Sequence, residues 1–298
     1  MVATPITAPQ VAPANHGLIA SAFPSPDSGV SNRWENGFGF VPESCLQPES
    51  WVIPCVGVGS TAGPGATITD NRPTTSGYLE WAPYVIQVPF TCTLQQTQAI
   101  DFEDRARRIM EAGQSKLMET ELYRGDASGY GQFLVNPARN PWNLTLTDLT
   151  STGGQNLGTG GTTTPTLGIR SLIQAAADAP NGTKAMLHAT PSVVEAWMQG
   201  NSVIQDSSGR LITRVGGHTV ISGTGYTGQG INNAAADPAI HWAWVTSPVY
   251  YLLGEDITVE TVAWRDNDAT AIVRRTACAY WDGCLHAGVP IDPNGTVI

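Results

Sequence analysis

Lysine is nearly missing from this chain. Of its 298 residues only Lys116 and Lys184 are lysines, and charged residues make up 13% of the whole, about half the ordinary share. Fifteen basic residues stand against twenty-five acidic ones, a net charge of -10. Tight binding to a nucleic-acid backbone depends on clustered Lys and Arg that displace counterions, so specific nucleic-acid binding is not expected. Also lacking is any apolar run near the ~20 residues that cross a bilayer. The start, "MVATPITAPQVAPANHG", has no charged stretch followed by an apolar block. The expectation is a protein made and used in a cytoplasm-like compartment, or released by lysis, with no membrane partner. The five cysteines, Cys45, Cys55, Cys92, Cys278 and Cys284, form an odd set without CxxC spacing, so neither a disulfide framework nor a zinc site is signalled. Buried free thiols are expected instead.

What is present is 41% hydrophobic residues, 32 glycines and 21 prolines: enough apolar mass for a core of about two domains' size, in a loop-rich chain with much β structure. Residues 1 to about 48 are rich in Pro, Ser, Ala and Asn and read as an arm. Two strand-like runs, "WVIPCVGV" and "YLEWAPYVIQVPFTC", flank a Gly/Thr/Pro-rich middle from 59 to 77 and read as a two-stranded β arm with a flexible tip. The clearest helix is predicted over 101–123, about 35 Å long, with Phe102, Ala106, Ile109, Met110, Gly113 and Leu117 on one face. Thr93 with Gln96, or Thr97 alone, is placed to cap it, and Gly125 to stop it. Further on, "TLGIRSLIQAAADAP" reads as a helix stopped by Pro180, "KAMLHAT" as a strand and "PSVVEAWMQG" as a short helix with Pro191 in its first turn. "RLITRVGGHTVISGTG" reads as a hairpin, "AWVTSPVYYLLG" as a strand pair or bend, and the remainder as β-rich.

A P-loop needs its glycines ahead of a helix N-terminus and a lysine. In "LYRGDASGYGQF" the glycines follow a helix and no lysine is present. "GDASG" approximates the surroundings of a protease nucleophile at Ser128, but carries an extra alanine. Gly125, Gly129 and Gly131 are read instead as positive-φ positions at a hinge. His16, His188, His218, His241 and His286 show no ligand spacing and are expected to be hydrogen-bonded core or surface residues. The acid pairs Glu103/Asp104 and Glu255/Asp256 are adjacent in sequence and so do not face a common substrate. Trp142, Trp197, Trp242, Trp244, Trp264 and Trp281 fit a sugar platform or packed strand interiors equally well. No catalytic constellation, metal site or cofactor site emerges.

The order arm, β arm, long helix, compact α/β region and β-rich return resembles the major capsid proteins of tailed bacteriophages, the Hong Kong 97-like fold. Three stretches carry the resemblance: the long helix running into "LYRGDASG", "IRSLIQAAADAPNGTKAMLHATPSVVEAW", and "RDNDATAIVRRTACAYWDGCLHAGVPID" with Arg275, Ala277 and Trp281. It implies an α+β class and the following organisation: N-terminal arm 1–48, extended β-hairpin loop 49–92, peripheral domain with spine helix 93–142 and 255–298, and axial domain 143–254. Cross-linked members of that family use a lysine on the β arm, and residues 51 to 92 contain none, so a shell without covalent cross-links is expected.

The implied function is structural, not enzymatic: a shell protein that assembles with itself as hexamers and pentamers into an icosahedral head, enclosing DNA without binding it specifically. No cofactor is implied. A decoration or scaffolding protein is a possible further partner, and the place is the virion, assembled in the bacterial cytoplasm. Two alternatives stay open: an encapsulin-type compartment and a glycan-binding tail or spike protein. Candidate inter-subunit contacts are Asp70, Arg72 and Trp81 on the β arm and Arg105, Arg107, Arg108 and Glu111 on the long helix, whose charge is dense for so sparsely charged a chain.

Overall fold

The computed structural model describes residues 16–26, 34, 38–40, 79–81, 83–93, 102–124, 155–158, 161–179, 182, 184–226, 230, 239–263, 268–281 and 285–295. Among them a mixed α+β fold is built from two main sheets. In chain order the elements are α1 (Leu18–Ser21), β1 (Phe23–Pro24), β2 (Phe38–Phe40), β3 (Leu79–Trp81), β4 (Tyr84–Thr93), α2 (Phe102–Arg124) and β5 (Gln155–Asn156). They continue with α3 (Pro165–Asp178), β6 (Met186–Ala189), α4 (Pro191–Gln199), β7 (Val203–Gln205), β8 (Leu211–Thr213) and β9 (Thr219–Ser222). The last are β10 (His241–Thr246), β11 (Tyr250–Leu253), β12 (Ile257–Ala263), β13 (Asp268–Tyr280) and β14 (His286–Ile291).

Seven strands form one sheet in the order β5-β14-β10-β6-β9-β8-β7. Helices α3 and α4 cover one face: Ile169, Leu172, Val193 and Trp197 pack with Leu187, Val220, Ala243, Val245 and Val289. The alternate residues Met186, Ile221, Trp242 and Trp244 point into a second cluster that contains α2. A sheet covered on both faces has strands with no polar side, which explains why β6 and β14 are buried at every position and why "HWAWVT" is apolar nearly throughout. The helix ends follow local chemistry. Thr164 caps α3 by accepting from the Leu167 amide, with Pro165 in the first turn. The helix stops before Pro180, because the residue preceding a proline is pushed out of helical geometry, and Ala179 is extended. The predicted hairpin is β8 and β9, turned by Gly216 and Gly217 at φ 81° and 61°, a region that a side chain rarely tolerates.

The second sheet centres on β13, with β4 along one side over ten residues and β12 followed by β11 along the other. "AWVTSPVYYLLG" is therefore a crossing: β10 lies in the seven-stranded sheet and β11 in the other, with only residues 247–249 between. Leu285, just before β14, is tied to this crossing: Ser247 N–H donates to the Leu285 carbonyl at 3.3 Å, and Leu285 N–H to Ser247 Oγ at 3.1 Å. These crossings move the expected division at 254/255. β11 belongs with β12 and β13, and β14 goes back to the sheet of β10, because backbone pairing, which composition does not report, decides sheet membership.

The β arm also needs correction in part. Residues 51–78 lie outside the described residues. Within the second apolar run, β3 pairs with β2, while Tyr84 and Ile86 on β4 are 5% and 3% exposed in this chain's own core. They need no neighbour's surface, because β13 and α2 already cover them. The helix face is corrected as well. Ala106 and Met110 are buried, but Ile109 and Leu117 stay 43% and 38% exposed, and the Phe102 side chain is not among those described. In the C-terminal half of α2, by contrast, Met118, Glu119, Glu121, Leu122 and Tyr123 are all buried, since this end passes into the junction between the two sheets.

Candidate functional site

Among the described residues no group of three or more His, Cys, Asp or Glu is placed to hold a metal ion. Cys278 is a buried thiol whose pKa is pushed far up by burial, which leaves it protonated and unreactive. Cys45, Cys55 and Cys284 lie outside the described residues, and Cys92 contributes only its backbone, opposite Ala269. Trp197, Trp242, Trp244 and Trp281 are buried and form core and not a sugar platform; Trp142 and Trp264 are outside the described residues. An open recess of about 400 Å³ lies against α3, lined by Gln155, Leu157, Arg170, Ser171, Gln174, Ala175 and Asp178. Neither a histidine nor a cysteine lines it.

The predicted contact residues of α2 lie on its outer, N-terminal half. Arg107, Arg108 and Glu111 are exposed and Arg105 is half-buried. Arg108 meets Asp104 one turn back at 3.1 Å, an exposed pair worth about 0.3–0.5 kcal/mol. Arg107 donates to Thr258 Oγ1 at 3.4 Å. Trp81 pairs with Phe38 across the short β2–β3 ladder. Asp70, Arg72, Gly125, Ser128, Gly129 and Gly131 lie outside the described residues.

What the sequence reading missed is the polar junction at the inner half of α2. The Glu119 carboxylate is 1% exposed. Its Oε1 accepts from the Leu18 amide at 2.9 Å and Ser115 Oγ at 3.2 Å, and its Oε2 accepts from the Gly225 amide at 3.0 Å. One side chain thus ties the start of α1, the helix α2 and the turn after β9. Both partners approach so closely that only glycine fits: a Cβ on Gly225 would lie 2.6 Å from Glu119 Cβ, and one on Gly17 2.5 Å from Ser115 Oγ. Burial raises the pKa of Glu119, opposed by the amides it accepts from. An acid amid "LMETELY", where Met118, Leu122 and Tyr123 announce a buried surface, was the available signal.

On the second sheet Arg275 does comparable work. Its Nε–H donates to Asp256 Oδ1 at 2.6 Å and Nη1–H to Gln114 Oε1 at 2.6 Å, with both ionic side chains mostly buried. Arg275→Ala strands Asp256 and Gln114, and the expected loss is about 2–3 kcal/mol, read as a lower urea midpoint at unchanged slope. Arg275→Lys is not expected to rescue it, because an ammonium lacks the fork that serves two acceptors in one plane.

His188, His218 and His241 make side-chain hydrogen bonds. His218 Nδ1 accepts from the Ala185 amide at 3.1 Å, and His241 Nδ1 lies 2.7 Å from Thr190 Oγ1. His188 is buried between Tyr226 and Thr246.

No protein-family model matches the chain, and no curated protein matches it in sequence. Its fold, however, is shared over nearly its whole length. The capsid of an empty GTA particle superposes with a TM-score of 0.54 at 10% identity, covering 98% of this chain and 95% of that one. The capsid of Ralstonia phage GP4 does so with a TM-score of 0.50 at 11% identity, covering 99% and 97%. A looser likeness, TM-score 0.46 at 12% identity over 72% of this chain and 75% of the other, is to the holo-SrpI encapsulin complex of Synechococcus elongatus. The chain has the fold of phage and GTA capsid proteins, the Hong Kong 97-like fold.

Proposed function

We propose that this chain is the major capsid protein of a tailed double-stranded DNA bacteriophage, assembling with copies of itself as hexamers and pentamers into an icosahedral head. The observation that carries the reading is the shared fold with the GTA and Ralstonia phage capsids over 98–99% of this chain and 95–97% of theirs. A protein whose only likeness was one domain would not be covered end to end on both sides. In this reading α2 is the spine helix. The sheet of β4, β11, β12 and β13 forms the peripheral domain, and the seven-stranded sheet with α3 and α4 the axial domain, with the chain changing domain at residues 247–249 and 281–285. Residues 1–48 act as the N-terminal arm and the segment from 49 to the start of β4 as the extended loop, its Asp70 and Arg72 meeting a neighbour and Gly125, Gly129 and Gly131 serving as the hinge. The role is structural and needs no cofactor. The acidic balance suits a wall along which DNA slides, a decoration or scaffolding protein is an optional partner, and assembly takes place in the host cytoplasm.

The test is assembly itself. Purified, concentrated protein examined by negative stain and sedimentation is expected to give closed shells of uniform size, and particles from infected cells to contain DNA. Particles filled with a protein cargo and free of DNA would replace the phage reading by a compartment reading, and a soluble trimer with glycan affinity would remove both. The charged face of α2 enters here as a subunit contact. A double reversal, Arg107→Glu with Arg108→Glu, is expected to leave a folded monomer by circular dichroism while lowering the yield of shells at least about tenfold, since like charges set across an interface cost several kcal/mol. Normal yield would make that face a solvated one.

A further inference from the structure

Between the seven-stranded sheet and α2 runs a buried chain of hydrogen bonds with a fixed direction. Thr246 Oγ1 donates to the Ser247 carbonyl at 2.8 Å, so it meets His188 Nε2, 2.9 Å away, as an acceptor. The ring proton of His188 is therefore on Nε2, and Nδ1 accepts from the Tyr226 hydroxyl at 3.0 Å. Every donor has its acceptor, and a second ring proton at Nδ1 would point at a hydroxyl that is already donating. Tyr226 sits next to Gly225, whose amide is held by Glu119, and its ring lies against Tyr123 of α2 and Trp244 of β10, centroids 6.2 and 6.1 Å away.

We infer that this chain is an acid-opened latch: a proton added at His188 Nδ1 releases the turn at residues 223–226 and with it the hold of the seven-stranded sheet on α2. The inference stands on these contacts and does not depend on the capsid reading. The titratable groups around the latch are Tyr226, in hydrogen bond with His188, and His286 of β14, opposite Thr246. Glu119 and Tyr123 of α2 face Tyr226 from its other side. Neither hydrogen-bond partner of His188 is an acid that would hold the imidazolium in place.

The sign follows from linkage. Burial, helped by His286, lowers the pKa of His188 to about 3, whereas the imidazole of an opened turn titrates near ~6.5. The closed state keeps its full advantage above about pH 6.5, and the opened population grows about tenfold for each pH unit below that, down to about pH 3. Glu119 works the other way, because its raised pKa makes the closed state cheaper as pH falls. A whole-protein melting curve therefore mixes opposite signs, and the test has to be local.

The experiment is amide hydrogen exchange on the full chain, followed by mass spectrometry and corrected for the intrinsic pH dependence of exchange, from about pH 7 to about pH 5. Wild type is expected to show opening of residues 219–226 that rises as pH falls below about 6.5, by up to about tenfold per pH unit less the opposing contribution of Glu119 at Gly225, with α3 and α4 unchanged. His188→Gln retains a donor and an acceptor but does not titrate, and is expected to flatten that response while leaving the contribution of Glu119 in place. An equally steep response in the variant overturns the proposal, as does acid opening that is uniform over all peptides including α3 and α4. Should the variant not fold, exchange at the C2 hydrogen of His188 in the wild type reads its own titration. A midpoint well below the ordinary histidine value supports the latch, and one near ~6.5 sinks it.

Discussion

Glu119→Ala is expected to lower the stability of the isolated subunit by about 4 kcal/mol, because it removes one acceptor set and leaves two backbone amides and a hydroxyl without partners. The amides of Leu18 and Gly225 are buried against α2, and a water admitted to the vacated space recovers only part of what the carboxylate supplied. An unsatisfied buried donor costs roughly 1–3 kcal/mol, so two amides together with Ser115 reach the stated sum, reduced by the burial cost of the carboxylate that the substitution relieves. Glu119→Gln keeps the volume and one acceptor oxygen but turns an NH2 donor toward other donors. It is expected to cost about half as much. Urea unfolding of the two variants followed by circular dichroism checks the order. The idea fails if the alanine variant melts like the wild type, or if the glutamine variant is the worse of the two.

The local destination matters as much as the magnitude. The carboxylate holds the start of α1 and the turn after β9 to one face of the helix, so its loss is expected to free residues 16–22 from protection in hydrogen exchange before the sheets unfold. Loss of the same stability with uniform exchange would mean that the junction has no separate role.

Local chemistry made much of this fold legible. Thr164 with Pro165, Pro180 after Asp178, Pro191 with Gly200, and the Gly216-Gly217 pair each act within a few residues of themselves, so the ends of α3 and α4 and the β8–β9 turn could be placed from the chain alone. Facts that depend on distant pairing could not. Ile109 and Leu117 share helical spacing with Met110 and Ala106, yet β4 and β13 cover only part of that arc, leaving the first two exposed. The sheet switch at residues 247–249 shows only through the pairing of β14 with β10, partners forty residues apart at Thr246 and His286 and fifty at His241 and Ile291. The candidate contacts were legible as a charge cluster on the outer half of α2, whereas Glu119 on the inner half was signalled only by its apolar neighbours Met118, Leu122 and Tyr123, and its partners Leu18 and Gly225 lie about a hundred residues away. His188, similarly, carries no spacing signal, since its partners come from β10 and from the turn after β9.

Neighbours on β4 separate subunit from assembly. Ile86 is 3% exposed and faces the core with Tyr84, while Val85, one residue earlier, is 52% exposed on the opposite face of the same strand, as the two-residue period of a strand requires. Ile86→Asp places a carboxylate in the apolar cluster against β13 and α2. The new carboxylate stands opposite Arg275, whose guanidinium is already engaged by Asp256 and Gln114, and the cost of burying it, on the order of 3–5 kcal/mol, is a large share of the ~5–15 kcal/mol that a folded chain has in total. The variant is expected to be insoluble or to show no cooperative melt. Val85→Asp changes the same strand with the same residue and is expected to stay within about 0.5 kcal/mol of wild type. If residues 84–92 belonged to an arm resting on a neighbour, the outcome would be reversed: Ile86→Asp would give a normally melting subunit, and its defect would appear only in shell formation. Thermal unfolding of the two unassembled variants therefore decides whether β4 is part of the subunit's own sheet, as its ten-residue ladder with β13 implies, and whether the contribution of the arm to neighbours begins before Tyr84.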